Sequence, residues 1–252
     1  MPDTLYTDPA YYRMLFDRRQ HDLPFYLGLA AEAGGAMLEY GIGTGRVALP
    51  LARAGYSVVG IDCSAEMLSS LAAAVEAEAP AVRARLSWLA GNARELQLDR
   101  RFALVTCPFN GIAHHHAQRE LAAFFANVKR HLTDGGIFAF DVLEPDPVLL
   151  RGESTHIPWF RHPATGEVCR CDEEVSFEPE PRLLTIRTTI RFMETERSPE
   201  RLELVLRQHF ADETPALLTA AGFELCRVVD LGDSLGYVCR AQRITQVGEE
   251  DD

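Results

Sequence analysis

The six cysteines, at positions 63, 107, 169, 171, 226 and 239, include no Cys-x-x-Cys pair. A structural zinc site therefore has little support, and the isolated Cys169-x-Cys171 is a weak signal. Positive charge is scarce: 25 Lys and Arg stand against 37 Asp and Glu, for a formal net charge of −12. That balance argues against a nucleic-acid partner, because phosphate binding needs clustered basic side chains. No run of eighteen apolar residues occurs, and no charged segment followed by an apolar stretch opens the chain. No membrane partner is expected, and a cytoplasmic location with reduced thiols is. Internal repeats and low-complexity tracts are absent too. The 252 residues, 47% hydrophobic and 25% charged, suit one α/β domain with an elaboration.

Two further absences narrow the glycine-rich stretch near residue 40. A dinucleotide fingerprint needs a glycine at its sixth position, where this chain has Arg46. A P-loop needs a Gly-Lys-Ser/Thr ending, and none is present. What stands there is a short apolar run into Glu39, then Gly41, Gly43 and Gly45 alternating with other residues, then a helix-like stretch. A second apolar run, Ser57-Val58-Val59-Gly60-Ile61, stops at Asp62. The pattern reads strand, glycine loop, helix, strand, acid, the first half of a nucleotide-binding βαβ unit. Glycines let the backbone pass close to a ligand, and an acid at the end of the second strand can accept both hydroxyls of a ribose.

Periodicity places a helix at 22–33, a strand at 36–40, a crossover helix at 45–54 and a helix at 64–78 capped from Asp62-Cys63-Ser64. Strands follow at 86–89 and 102–107. The stretch 117–132 is an amphipathic helix whose Phe124 and Phe125 belong to the core, and a fifth strand runs over 137–142. Strands alternating with helices imply a doubly wound, mostly parallel sheet of seven strands with ligands at the carboxyl ends. The glycine loop, Asp62, Asn92 and Pro108-Phe109-Asn110 all fall at such ends. After 142 the pattern becomes strand-like (168–177, 183–192, 202–210), which predicts a small antiparallel β cap inserted in the Rossmann-like domain. A helix at 212–221 and strands at 223–229 and 236–243 return to the parent sheet. The expected division is an N-terminal helical lid at 1–35, a main domain at 36–150 and 211–245, a cap at 151–210 and an acidic, disordered tail at 246–252.

The spacing Glu39-x-Gly41-x-Gly43-x-Gly45 with Asp62 resembles the cofactor loop of class I S-adenosylmethionine (SAM) methyltransferases. The likeness is strong over about 35–143 and looser elsewhere. It leans toward bacterial small-molecule enzymes of the glycine/sarcosine and amino-sugar N-methyltransferase type, through Asn92-Ala93, Pro108-Phe109-Asn110 and the turn His131-Leu132-Thr133-Asp134-Gly135-Gly136. The resemblance implies SAM as cofactor, S-adenosylhomocysteine as product, no metal, and a small-molecule acceptor methylated on nitrogen or oxygen, in a monomer or homodimer. It implies that Glu39, Gly41, Gly43 and Gly45 border the methionine part and that Asp62 holds the ribose. Met67 then packs on the adenine face, Asn92 and Ala93 meet its edge, and Cys63 and Pro108 are further cofactor-binding positions. Tyr11 and Arg19, eight residues apart, match a pair that holds SAM in related amino-sugar enzymes; an arginine facing the methionine carboxylate makes a charge-assisted bond. Two departures stand out. Asn92 occupies a place commonly held by Asp, and Thr106-Cys107-Pro108-Phe109 lacks the polar anchor found in enzymes that methylate nucleobase or amide nitrogens.

Asn110 and the run His114-His115-His116 lie just after the fourth strand, on the acceptor side, and are the catalytic candidates. Consecutive histidines point in different directions, so they cannot all serve one site. His114 is the candidate general base, and His115 and His116 read as solvated residues at a helix start. Within the cap, Trp159, Phe160, Arg161 and Arg207 are candidates for shaping acceptor choice. A protein or RNA methyltransferase, and a non-catalytic or NAD-binding Rossmann module, are the competing readings.

Overall fold

The computed structural model describes residues 4–154 and 156–242. After a 3-10 turn at Thr4–Thr7, helices α1 (Pro9–Phe16) and α2 (Leu23–Ala33) lead into strand β1 (Met37–Tyr40). There follow α3 (Ala48–Arg53), β2 (Val58–Asp62), α4 (Ala65–Glu76), the short α5 (Pro80–Arg83), β3 (Leu86–Ala90) and β4 (Phe102–Cys107). A 3-10 turn at Gly111–His114 precedes α6 (Gln118–His131), β5 (Leu132–Leu143) and the short α7 (Pro147–Leu150). Four strands come next: β6 (His156–Arg161), β7 (Val168–Glu178), β8 (Leu183–Phe192) and β9 (Glu200–Arg207). Helix α8 (Thr214–Ala220) and strands β10 (Phe223–Asp230) and β11 (Ser234–Ala241) complete the described chain.

Seven strands form one sheet in the order β10-β11-β5-β4-β1-β2-β3, and β6 to β9 form a second in sequential order. In the large sheet β1 pairs parallel with both β2 and β4, whereas β11 runs antiparallel to β5 and β10. Strand order reverses between β1 and β4. In an open α/β sheet the crevice outside the carboxyl ends at that switch point is where ligands bind.

Side-chain alternation sorts the strands onto two cores. Met37, Val58, Leu104, Ala139 and Val238 face one side with α2, α3 and α4. Leu38, Tyr40, Val105, Phe138 and Phe140 face the other, where Leu121, Phe124, Phe125 and Val128 of α6 meet them. Helix α2 is part of the first core through Tyr26, Leu29 and Ala30. A third core joins Leu5 and Tyr11 to the cap residues Cys169, Cys171, Ile190, Phe192 and Leu202.

Three local differences from the sequence reading have physical causes. The crossover helix starts at Ala48 rather than 45, because Gly45 sits at φ 85°, outside the helical region. Strand β5 begins at Leu132 and takes in Asp134-Gly135-Gly136, its register with β4 shifting after the Phe102–Leu132 pair. The cap gains an edge strand, β6, whose register with β7 breaks between Ile157 and Phe160, around Pro158; a proline is accommodated at such an edge or bulge. The acidic segment 246–252 lies outside the described residues.

Candidate active site

The chain leaves β1 through three left-handed glycines, Gly41 (φ 70°), Gly43 (φ 53°) and Gly45 (φ 85°). Backbone bonds pin this loop to the end of β2: Gly41 N–H donates to Ile61 O at 2.8 Å and Ile42 N–H to the same oxygen at 3.2 Å. Gly60 permits that contact, since a Cβ there would lie 2.1 Å from Ile42 Cδ1. Gly45 serves packing in the same way, its missing Cβ leaving room for Leu71 and Leu49. A Cβ on Gly41 would meet nothing within 4 Å, so that part of the loop faces open space.

Asp62 joins the two halves of the motif. Its Oδ2 accepts from Gly43 N–H at 2.8 Å and its Oδ1 from Ser64 N–H at 2.9 Å. Burial raises its pKa, opposed by the N–H groups of Ser64 and Gly43 and by the charge of His114. A carboxylate offers about four lone-pair sites, so acceptor capacity remains. Ser64 caps α4 through Met67 N–H at 3.1 Å, which seats the buried Met67 with its Cε beside Gly43. Cys63 is exposed. Gly91 N–H donates to Asp62 O at 2.9 Å, bringing Asn92 alongside. The Asn92 amide is engaged locally, its oxygen by Arg94 N–H and its Nδ2 by Glu95. Ala93 O accepts from the buried Asn127, which also lies beside Tyr40 and His131 in a polar network beneath this loop.

Glu39, on β1, is 2% exposed. Burial pushes its pKa up to about 8, with Arg46 opposing and Asp22 and Asp62 adding to the rise. Its Oε2 has no hydrogen-bond partner among the described residues. A buried carboxyl oxygen left unpaired is costly, and here it lies on β1 immediately before the glycine loop.

Arg46, noted in the sequence only for displacing a glycine, grips both oxygens of Asp22 at 2.7 Å and Arg19 O at 2.8 Å. Arg19 is brought to the same place. Its guanidinium bonds Asp22, Asp233 (2.8 Å), Ser234 (2.7 Å) and Asp141 (3.3 Å). Both guanidiniums lie over the Phe109 ring, at 4.9 and 5.3 Å from its centroid. Asp141, at the end of β5, holds the turn after β4: its Oδ1 accepts from Phe109 N–H at 2.6 Å and Tyr26 Oη at 2.5 Å. Asp22, Asp141 and Asp233 were not picked out from the sequence, and Arg46 was not read as a site residue. An acid inside the apolar run Phe138 to Val142 was the available signal for Asp141.

After the buried Pro108, Phe109 (φ 54°) and Asn110 (φ 57°) are consecutive left-handed residues. Asn tolerates that region, whereas a bulky aromatic there is a strained outlier of the kind found at functional sites. Asn110 is buried. His114 follows on the 3-10 turn, its Nε2 2.9 Å from Tyr6 Oη.

Two expectations need correction. Tyr11 does not join the loop: it is 1% exposed within the third core, its hydroxyl 3.8 Å from Cys171 Sγ and its ring stacked against His162. Its side chain turns to the cap because α1 packs there through its apolar face. His115 is not solvated either. It is buried against Phe124 at 4.5 Å between ring centres, and burial drives its pKa down to about 3. The imidazole of His116 bonds Val205 O at 2.8 Å, and Arg207 donates to His116 O at 2.8 Å. Of the four cap candidates, Arg207 reaches this turn, whereas Trp159 is 62% exposed, Phe160 packs on Tyr11 and Arg161 bonds Gly166 O. A cavity of about 670 Å³ opens beside this turn, lined by His116, Leu121, Arg207, His209 and Phe210 among others. None of its lining residues belongs to the glycine loop.

Residues 37–136 match the family model described as a methyltransferase domain. Among curated proteins the chain is 31% identical over 112 residues to the cypemycin N-terminal methyltransferase of Streptomyces sp., covering 44% of this chain and 43% of that protein. The chain spans about four tenths of the length of the curated relatives it matches. Among solved structures it resembles a SAM-dependent methyltransferase of Clostridium acetobutylicum, with TM-score 0.75, 17% identity and 92% and 96% of the two chains covered. The sugar N-methyltransferase KedS8 of Streptoalloteichus sp. superposes with TM-score 0.72, at 18% identity over 92% and 93% of the chains. The chain therefore carries a methyltransferase-domain match over residues 37–136 within the class I, Rossmann-like fold of the SAM-dependent methyltransferases.

Proposed function

We propose that this protein is a SAM-dependent methyltransferase acting on a nitrogen or oxygen of a small-molecule acceptor, with an amine as the favoured nucleophile. The observation that carries the reading is the direct bond between Gly43 N–H and Asp62 Oδ2, which locks glycine loop and strand-end acid into one ligand cradle at the switch point of the sheet. The donor set fits SAM. Glu39, with its unpaired buried oxygen, would take the ammonium of the amino-acid part, and Arg19 and Arg46 stand near for its carboxylate. Asp62 would hold the ribose hydroxyls, and Met67 would face the adenine with Asn92 and Ala93 at its edge. Bound SAM supplies a methyl group on a sulfonium, open to in-line displacement without a metal.

The chain's own residues then have three tasks. The strained Phe109-Asn110 turn and the histidine turn behind it fix the acceptor's approach, and alignment alone contributes several kcal/mol to such a displacement, up to roughly 7–11 kcal/mol in favourable cases. The N-terminal segment, bonded to Ser64 through Tyr6 O at 3.0 Å, shields the cradle from water, which would otherwise stabilise the charged ground state. His114 would take the proton of an acceptor ammonium or hydroxyl. A neutral amine needs little more. Neighbours described as sugar N-methyltransferase and amino pentose methyltransferase support an amine acceptor, and the net negative charge disfavours RNA.

Titration calorimetry with SAM and with NADH, followed by radiolabelled methyl transfer to panels of amines, amino sugars and phenols, tests the reading. SAM binding with transfer to one panel supports it. Binding of NADH without SAM would make the chain a different Rossmann module, and transfer to peptide or RNA substrates alone would shift the acceptor class.

A further inference from the structure

Outside the glycine-loop cradle, Asp8, His162 and Glu200 bring one donor atom each within 4.8 Å of one another. We propose that these residues form a binding site for a divalent first-row transition ion that clamps the N-terminal segment to the cap. The unusual member is His162. It is 2% exposed, and neither ring nitrogen has a hydrogen-bond partner among the described residues. A buried imidazole normally satisfies at least one nitrogen. Its Nε2 lies 3.3 Å from Asp8 Oδ2 but is not aimed to donate to it.

That geometry matches a ligand pair rather than a hydrogen bond. Around a tetrahedral ion with bonds of about 2.0 Å, neighbouring ligand atoms are separated by about 3.3 Å. The ring is held in place by other means, stacked 6.3 Å from Tyr11 at an interplanar angle of 3° and packed 5.7 Å from Phe192. Backbone bonds from His162 N–H to Glu167 O and from Gly166 N–H to His162 O fix the turn that presents it. Asp8 is equally prepared. Its Oδ1 caps α1 by accepting from Ala10 and Tyr11 N–H, which leaves Oδ2 for the site. Glu200, the first residue of β9, is held at Oε1 by Arg197 at 2.5 Å. Arg197 also nears Glu167 at 3.8 Å, and its side chain is 45% exposed, so it can swing toward solvent while Glu200 turns a carboxylate oxygen to the ion.

One imidazole with two carboxylates is a borderline donor set, suited to zinc, cobalt or manganese rather than to calcium or magnesium. Three protein ligands leave the remaining positions to water. Asp8 belongs to the segment whose Tyr6 touches Ser64 and His114, and the other two ligands belong to the cap. An ion here would fasten the cover of the cradle without entering it, and this inference does not depend on which ligand the cradle takes.

The test is titration of the full chain, stripped with a chelator, with cobalt(II), followed by visible absorption and thermal melting. The expected result is one cobalt per chain, ligand-field bands without a thiolate charge-transfer band, and a melting temperature raised by the ion. Asp8→Asn keeps the helix cap, because Asn caps as well as Asp, yet it should weaken binding at least tenfold. Glu200→Gln, at a less buried position, should do the same. Binding lost in His162→Ala counts for the site only when both milder variants also weaken it. Absence of binding to the parent chain, a thiolate band, or unchanged affinity in Asp8→Asn and Glu200→Gln would overturn the proposal.

Discussion

Tyr6 Oη lies 2.9 Å from His114 Nε2, with the two rings edge-on at 5.4 Å between centres. The contact ties the N-terminal segment to the turn that follows β4, and it occupies the ring nitrogen a base would use unless the proton is taken at Nδ1 or the segment lifts. Under the base assignment, His114→Gln lowers turnover about a hundredfold and removes the acidic limb of the rate profile. SAM affinity stays nearly constant, since Asp62 is held in place by the N–H groups of Gly43 and Ser64 rather than by His114. Tyr6→Phe removes one hydrogen bond worth about 1 kcal/mol and lowers turnover by no more than about tenfold. Steady-state rates against pH decide. A His114→Gln protein with the parent profile assigns proton transfer to another group or to water.

Asp62 makes two backbone bonds and holds the glycine loop against α4. Replacement by Ala weakens SAM binding by about 1–3 kcal/mol, measured by calorimetry. Gly43→Val blocks binding for a different reason than crowding by neighbours. A Cβ there meets only Met67 Cε at an ordinary 3.5 Å, but a β-branched residue at φ 53° is strained, so the loop shifts. Unchanged affinity in Asp62→Ala would place the cofactor elsewhere.

Much of this arrangement was legible in the residues. The glycine spacing, Asp62 and the apolar runs placed the βαβ unit, and period-two alternation in Leu184, Ile186, Thr188 and Ile190 signalled a sheet distinct from the parent. The long-range ion pairs were not legible. Arg46 and Asp22 are 24 positions apart, and Arg19 and Asp233 are 214 apart; no local pattern encodes such partners. Tyr11 misled because its separation from Arg19 matched a known pair, whereas what directs a side chain is the surface its helix packs on. His115 misled because a polar tract reads as solvated, while the aromatic face of α6 lies under it.

Glu39 makes the cradle sensitive to pH. Its folded pKa of about 8 stands above the ordinary 4.5, so across that window the native chain keeps a proton the unfolded chain has lost. Stability contributed by this group is therefore present at low pH and declines as pH rises toward 8. Ionised Glu39 is the form that accepts an ammonium, so SAM binding near pH 7 should release a proton from it and tighten as pH approaches 8. Calorimetry in two buffers of different ionisation enthalpy counts that proton. In Glu39→Gln the release should fall by close to one and the melting temperature should vary less between pH 5 and 8. Equal proton release in both proteins would detach Glu39 from the ammonium.

The cap is tied to the histidine turn after β4 through Arg207, whose Nη1 donates to His116 O. Arg207→Ala frees that carbonyl and loosens the turn bearing His114. Turnover should fall about tenfold or more, with SAM affinity within about twofold of the parent, because one lost bond of about 1 kcal/mol misplaces the acceptor rather than the cofactor. Replacement of 156–210 by a short linker is a harsher version, and it uncovers Leu5 and Tyr11 as well. Retained turnover in either variant would remove the cap from acceptor positioning.

Asn110 separates backbone strain from side-chain chemistry. It sits at φ 57° and ψ 23°, a conformation that Gly adopts freely and that costs Ala about 1 kcal/mol or more. Its N–H bonds Asp141 O at 3.2 Å, a contact both variants keep. If the Asn110 amide orients the acceptor, Asn110→Gly folds with a stability close to the parent, yet loses turnover by about tenfold or more while SAM binding persists. Asn110→Ala then loses the same turnover and is less stable by about 1 kcal/mol as well. The two effects read out independently in denaturant melts and in rate assays. Full turnover in Asn110→Gly would show that the left-handed turn is needed for its shape alone, and the acceptor would have to be held by the histidine turn and the cap.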